Sequence, residues 1–228
     1  MRSLLARPGL VVMLLCNIFL FAVTTDARAQ CSARDVLQHQ LTLRTALLAH
    51  RPQSRVNSSA DVPMWKTIGI GTYADSLALR NALSDIGCSA GGSAAEILAR
   101  PAFTLSGERT DVELVAVSAA ELGLSSETAS LRQIYAVAQK LGFELAPAEI
   151  GVQLRLQYLD QPVGEFLIIA MAPIETWTGE PIILNVANGG AGLILIGQDG
   201  HADAEISVSS RLVFVRPAPV LPASLTRH

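Results

Sequence analysis

From Leu10 to Val23 the chain carries no charge, with Arg2 and Arg7 in front and the small-x-small triplet Ala27-Arg28-Ala29 behind. That is the three-part pattern of an export signal. The apolar run is shorter than the ~20 residues a bilayer crossing needs. Residues 1–29 therefore predict a cleaved leader, a mature start at Gln30 and no stable membrane span after cleavage, which places the protein in the periplasm or outside the cell.

Beyond the leader the hydrophobic spacing is helical. Ser32 with Asp35 suits a helix start, and Val36, Leu37, Leu41, Leu47 and Leu48 form a stripe to His50. Residues 51–63, with two Pro and a polar centre, read as a linker. Residues 30–50 are thus a helical appendage, and packing on its own domain is preferred over meeting a partner helix. A single domain is expected over 64–216, with a loose Pro-rich tail at 217–228.

Within the domain, Trp65 to Tyr73 predicts a short strand. Asp75 caps a helix that buries Leu79, Ala82, Leu83 and Ile86 and stops at Gly87. Ser93 and Glu96 suit a capping box for a second helix ended by Pro101. Val112 to Ser118 is a β-branched central strand. Thr128 is placed as the cap of the longest helix, with Leu131, Ile134, Tyr135, Ala138 and Leu141 inward and Gly142 as the stop.

From Ile150 the period changes to two. Ile150, Val152, Leu154, Leu156 and Tyr158 alternate with Gly151, Gln153, Arg155 and Gln157, so a strand is expected after a helical turn at Pro147–Glu149. The turn chemistry of residues 160–164 makes it a hairpin with Glu165 to Met171. Further strands fall at Pro181–Val186, Gly192–Gly197 and Arg211–Arg216. Helices in the N-terminal half and a mainly antiparallel sheet in the C-terminal half give an α+β class.

Charge narrows the partners. Loss of Arg2, Arg7, Arg28 and Asp26 with the leader takes the formal charge from −3 to −5, and Lys66 and Lys140 are the lysines of the chain. Phosphate binding needs clustered Lys and Arg, so nucleic acid is not expected. After removal of Cys16 the remaining cysteines are Cys31 and Cys88, and export puts them where disulfides persist. Their pairing closes a long loop worth ~4 kcal/mol. Two separate thiols are the alternative.

Three groups of residues carry candidate chemistry. Gly87-Cys88-Ser89-Ala90-Gly91 matches the G-x-S-x-G nucleophile elbow, with Asp199 and His201 available as triad partners, although a helix and not a strand is expected before Ser89. Asp199, His201, Asp203 and Glu205 alternate and offer oxygen and imidazole ligands to a cation, though without the spacing of a calcium loop. Glu149, Arg155, Asp160 and Glu165, set among apolar neighbours, form either an ion pair that fixes the fold or a grip on an anionic ligand. Trp177 adds a ring able to stack on a sugar or a partner. The Gly69-x-Gly71-x-x-Ala74 stretch lacks the βαβ context of a dinucleotide site, and no cofactor is expected.

The blocks Trp65-Lys-Thr-Ile68, Val112 to Ser118 with Ala120-Glu-Leu-Gly123, Pro147 to Tyr158 and Asp160 to Met171 are similar to a family of small uncharacterised bacterial proteins, over about Met64 to Arg216. The resemblance implies no activity or cofactor. The chain departs from that pattern in its leader, its appendage and an aromatic-poor loop from Gly197 to Ser210. The expectation is an exported non-catalytic module binding an unknown protein or small molecule. The alternative is a cell-envelope hydrolase using Ser89 or a cation near Asp199–Glu205.

Overall fold

The computed structural model describes residues 55–190 and 192–217. The leader, the appendage with Cys31, the start of the linker and the tail beyond residue 217 lie outside the described residues. Among the described residues the order is β1 (Lys66–Ile70), α1 (Ser76–Asp85), β2 (Ser89–Ala90), α2 (Gly92–Ile97), β3 (Thr110–Ser118), β4 (Thr128–Ser130), α3 (Leu131–Lys140), α4 (Glu149–Gln157), β5 (Phe166–Ile169), β6 (Ile174–Glu175), β7 (Pro181–Asn188), β8 (Leu193–Asp199), β9 (Glu205–Ser207) and β10 (Arg211–Val215).

The fold is α+β, with a mixed main sheet in the order β1-β3-β10-β5-β7-β8-β2 and β6 added beside β7. Its neighbours are antiparallel except β10 with β5 and β2 with β8, which are parallel. β4 and β9 form a separate ribbon. The helices are not confined to the N-terminal half, because α3 and α4 fall in the second half of the chain.

α1 forms as its sequence dictates. Asp75 Oδ1 accepts from the Ala78 amide at 2.8 Å, Leu79 and Leu83 face the core, and Gly87 with φ +74° lets the chain turn away. α3 starts at Leu131 and not at Thr128, since Thr128–Ser130 pairs with β9. Ser130 and Gln133 then complete a capping box at 3.4 and 3.1 Å. At α2 the expected box of Ser93 and Glu96 is absent. Gly91 is the N-cap, and Glu96 turns instead to the backbone of Trp177.

α4 is the main correction, because residues 149–157 are a helix and the expected hairpin does not exist. β1 and β8, near opposite ends of the strand order, both pack on α4 together with β7, and α1 also touches it. The sheet is therefore curled around this helix, and every residue from Glu149 to Arg155 is buried. A helix buried around most of its circumference carries apolar residues on several faces, so they do not repeat at a clean 3.6 spacing. Gly151 permits the close fit, since an added Cβ would lie 2.8 Å from Leu184 Cδ1 and 3.3 Å from Ile169 Cγ1.

Ile169 faces α4 and pairs in register with Val213, so the next residue, Phe214, points to the opposite face. There it meets Phe143, just after α3, with ring centroids 5.3 Å apart. From Arg55 onward the expected linker is bonded to the domain. Val56 donates to Glu121 O at 2.8 Å, and Ser59, in a 3-10 turn over Ser59–Asp61, donates to Leu141 O at 2.7 Å.

Candidate functional site

Because α4 is a helix, Glu149, Gln153 and Gln157 stand four residues apart on one face. That face meets the outer edge of β1. Gln157 bridges Gly69 from both sides, accepting from its amide at 3.0 Å and donating to its carbonyl at 2.8 Å. A side-chain amide thus occupies the place of a neighbouring strand and satisfies an edge that is otherwise unpaired. Gln153 donates to Thr72 Oγ1 at 2.8 Å and to Glu149 Oε1 at 3.1 Å, and Gln157 donates on to Gln153 at 3.1 Å.

Glu149 ends the ladder with its carboxylate 1% exposed. It accepts from the Gly71 amide at 2.8 Å and from the Ser106 amide at 2.6 Å. Gly71 is required here, as its φ is +66° and a Cβ would fall 2.0 Å from Glu108 O. The carboxylate therefore fastens two loops to the start of α4, and one of them leads into Arg109 and Asp111.

Beside this ladder, between β1, α1 and the end of α4, lies a groove of about 660 Å3. It runs along the outer edge of β1, the seam at that end of the sheet. Ile68, Ala82, Ile86 and Leu156 give apolar surface, Thr67, Thr72, Gln153 and Gln157 give hydroxyls and amides, and Arg109, Asp85 and Asp111 supply charge. The ion pairs found among the described residues are His201–Asp199 and Arg216–Glu113, so the groove charges are not spent on one another.

The sequence-derived candidates are dispersed. Ser89 lies in β2 opposite Ile194, whereas Asp199 ends β8, roughly 16 Å further along that strand, with His201 beyond it. No described non-glycine residue has a positive φ, so Ser89 lacks the strained turn of a nucleophile elbow. Asp199 and His201 do meet, at 2.7 Å from Oδ1 to Nδ1, with a second bond from the His201 amide at 2.9 Å. These bonds hold Asp199 below the usual carboxylate range, and the bond to Asp199 raises His201. Among the described residues no three His, Cys, Asp or Glu side chains gather for a metal, so Asp203 and Glu205 do not complete a cation site.

Arg155 is wholly buried, and its acceptors are neutral: Gln161 Oε1, Tyr158 O and Ala187 O. It makes no ion pair with Glu149 or Glu165. Glu165 stands close enough to favour its charge, while Glu165 Oε2 is buried with no hydrogen-bond partner among the described residues. Trp177 sits on the β6–β7 turn, 67% exposed, under the Arg100 guanidinium at 3.9 Å. Cys88 is buried, while Cys31 lies outside the described residues.

No family model, curated protein or solved structure matches the chain. The site thus stands on its own geometry. Sequence reasoning named Glu149 and missed Gln153, Gln157, Arg109 and Asp111, and the four-residue spacing of the first three is the signal that was available.

Two phenols make the fold sensitive to alkali. Burial raises Tyr135, whose hydroxyl bonds the Met171 backbone, and burial followed by the charge of Glu165 raises Tyr158. Each phenol keeps its proton longer in the folded chain. Their contribution is therefore intact below the ordinary pH of about 10 and is lost as pH rises beyond it. Thermal melts from pH 8 to 11 are expected to fall steeply above about pH 10, with a shallower fall in Tyr135→Phe. An unchanged slope in that variant would contradict the assignment.

Proposed function

We propose that the chain is an exported, non-catalytic binding module, periplasmic or secreted, whose seam groove takes a short zwitterionic peptide. The volume of about 660 Å3 suits a small ligand. Arg109 matches a terminal carboxylate, Asp85 and Asp111 match a terminal ammonium, and the Thr72 hydroxyl with the remaining acceptor positions of the glutamine carbonyls matches peptide N–H groups. The observation that carries the reading is the fixed glutamine pair. Gln153 and Gln157 are already held by Gly69, Thr72 and Glu149, so little side-chain freedom is lost when a ligand binds.

Among the described residues no Ser, Cys or His lines the groove, which favours binding over acyl-transfer chemistry. Export rests on the leader pattern, and among the described residues no helix is long and apolar enough to cross a membrane. Cys31 and Cys88 belong to the same reading as a disulfide formed after export.

Calorimetry of the mature protein with trialanine, and with trialanine acetylated and amidated at its ends, tests the proposal. Binding is expected for the zwitterion, with at least a tenfold loss for the capped peptide and for Arg109→Ala. The proposal is overturned by absence of heat with trialanine, by equal affinity of Arg109→Ala, or by cleavage of the peptide.

A further inference from the structure

We propose that the peptide in the seam groove binds as a short added strand on the outer edge of β1, exchanging main-chain hydrogen bonds with Thr67 and with no other residue of that edge. The inference rests on the peptide reading of the groove and deepens it, because it fixes how the main chain of the ligand is held.

The direction of the β1 backbone follows from its bonds. Gly69 turns both its amide and its carbonyl to Gln157, at 3.0 and 2.8 Å, away from β3. Along an antiparallel strand one residue faces the neighbour and the next faces away. Ile68 and Ile70, opposite Val112 and Thr110, therefore face β3, while Thr67 faces outward with Gly69. The Gly71 amide obeys the same alternation, since it reaches Glu149 Oε1 at 2.8 Å. Side chains of α4 thus occupy the edge at Gly69 and Gly71. Thr67 is left with an outward N–H and C=O for which the described residues supply no partner. Its hydroxyl donates to Met64 Sδ at 3.4 Å, the residue is exposed, and it lines the groove.

A free donor and acceptor on a strand edge are a template for a further strand. What flanks them chooses the occupant. A second copy of β1, or any long strand, would continue onto Gly69 and collide with the Gln157 amide already seated there. A short peptide needs the Thr67 pair alone. Half-buried Ala82, Ile86 and Leu156 offer apolar surface to small side chains, and Arg109, Asp85 and Asp111 complement the charged ends. Whether the added strand runs parallel or antiparallel, one carbonyl of the ligand meets the Thr67 amide and one peptide N–H meets the Thr67 carbonyl.

Calorimetry of the mature protein with trialanine and two ester analogues tests this. Each analogue carries lactate in place of residue two or residue three, so that oxygen replaces one N–H at nearly the same volume. One ester is expected to bind at least tenfold more weakly than trialanine, and the other within threefold of it. Amide exchange followed by NMR should slow at least tenfold at Thr67 when trialanine saturates the groove, with Gly69 unchanged. Thr67→Pro removes the outward N–H without removing a bond to β3, so it should melt with the parent and bind trialanine at least tenfold more weakly. If that variant does not fold, the esters and the Thr67 exchange rate decide on the parent protein.

Esters that both bind as trialanine does, or that both lose affinity equally, overturn the added strand. So does a Thr67 amide whose exchange is unchanged at saturation. Those results leave the peptide reading standing, whereas absence of heat with trialanine removes that reading and the strand with it.

Discussion

Replacing Glu149 with alanine is expected to lower stability by about 3 kcal/mol, a fall of ~6–12 °C in melting temperature. Three donors lose one acceptor group: the amides of Gly71 and Ser106 and the side chain of Gln153. Hydrogen bonds to a charged group contribute ~1.5–3 kcal/mol each, and a buried donor left without a partner bears its full desolvation cost. The effects do not add in full, because the freed loops can shift towards water. Glu149→Gln is a sharper probe. It keeps the volume but turns a donating NH2 towards an amide that also donates, so a loss of about 2 kcal/mol is expected. Urea unfolding measures both. A Glu149→Ala protein melting within ~2 °C of the parent would show that water replaces the carboxylate and that the ladder is not what holds the seam together.

How much of this was legible depends on what each element faces. α1 and α3 can be read from the sequence because each turns one side to the core and one to solvent, leaving Leu79 and Leu83, or Ile134 and Ala138, at helical spacing. β3, β7, β8 and β10 are legible for the opposite reason, as their apolar runs are short, β-branched and bounded by turn residues. α4 defeats the same rule. It is surrounded, and its polar residues are placed by internal partners and not by water. Gln153 and Gln157 face the β1 edge, Arg155 faces the turn after the helix, and Gly151 faces Leu184.

The site was hidden by the same misreading. Once 149–157 is taken as a strand, Glu149, Gln153 and Gln157 no longer share a helical face. Their partners are remote, since Gly69 and Gln157 are 88 residues apart and Ser106 and Glu149 are 43 apart. Contacts of that range come from the curl of the sheet, which local pattern does not encode. Ser89 and the Asp199–Glu205 group illustrate the converse. Their spacing is suggestive along the chain, yet the strand register keeps Ser89 from His201 and the side chains after β8 from converging.

Arg155→Ala is expected to have the largest effect, a loss of about 4 kcal/mol. Its guanidinium serves Gln161 Oε1, Tyr158 O and Ala187 O, all within the connection from α4 to the β5–β7 pair. Gln161 in turn donates to Glu165 O at 3.1 Å and Val186 O at 3.0 Å, and Asn188 donates to Gln161 O at 2.8 Å. Removing the arginine leaves acceptors unpaired and a void where a wholly buried side chain stood.

The arginine is not free of cost. Burial lowers it to about 10 from the ordinary guanidinium value, with Tyr158 and Glu165 opposing the shift. Between those values the unfolded chain holds a proton that the folded chain has released, so this residue favours folding more as pH rises, against the trend set by the two phenols. At neutral pH the charge is held against its desolvation. Arg155→Met removes that penalty and fills most of the volume, so it should lose only about 2 kcal/mol. Faster hydrogen exchange over residues 158–165 should accompany both variants. If Arg155→Met proves as unstable as Arg155→Ala, volume is not what separates them, and the hydrogen bonds to Gln161, Tyr158 and Ala187 account for the whole loss.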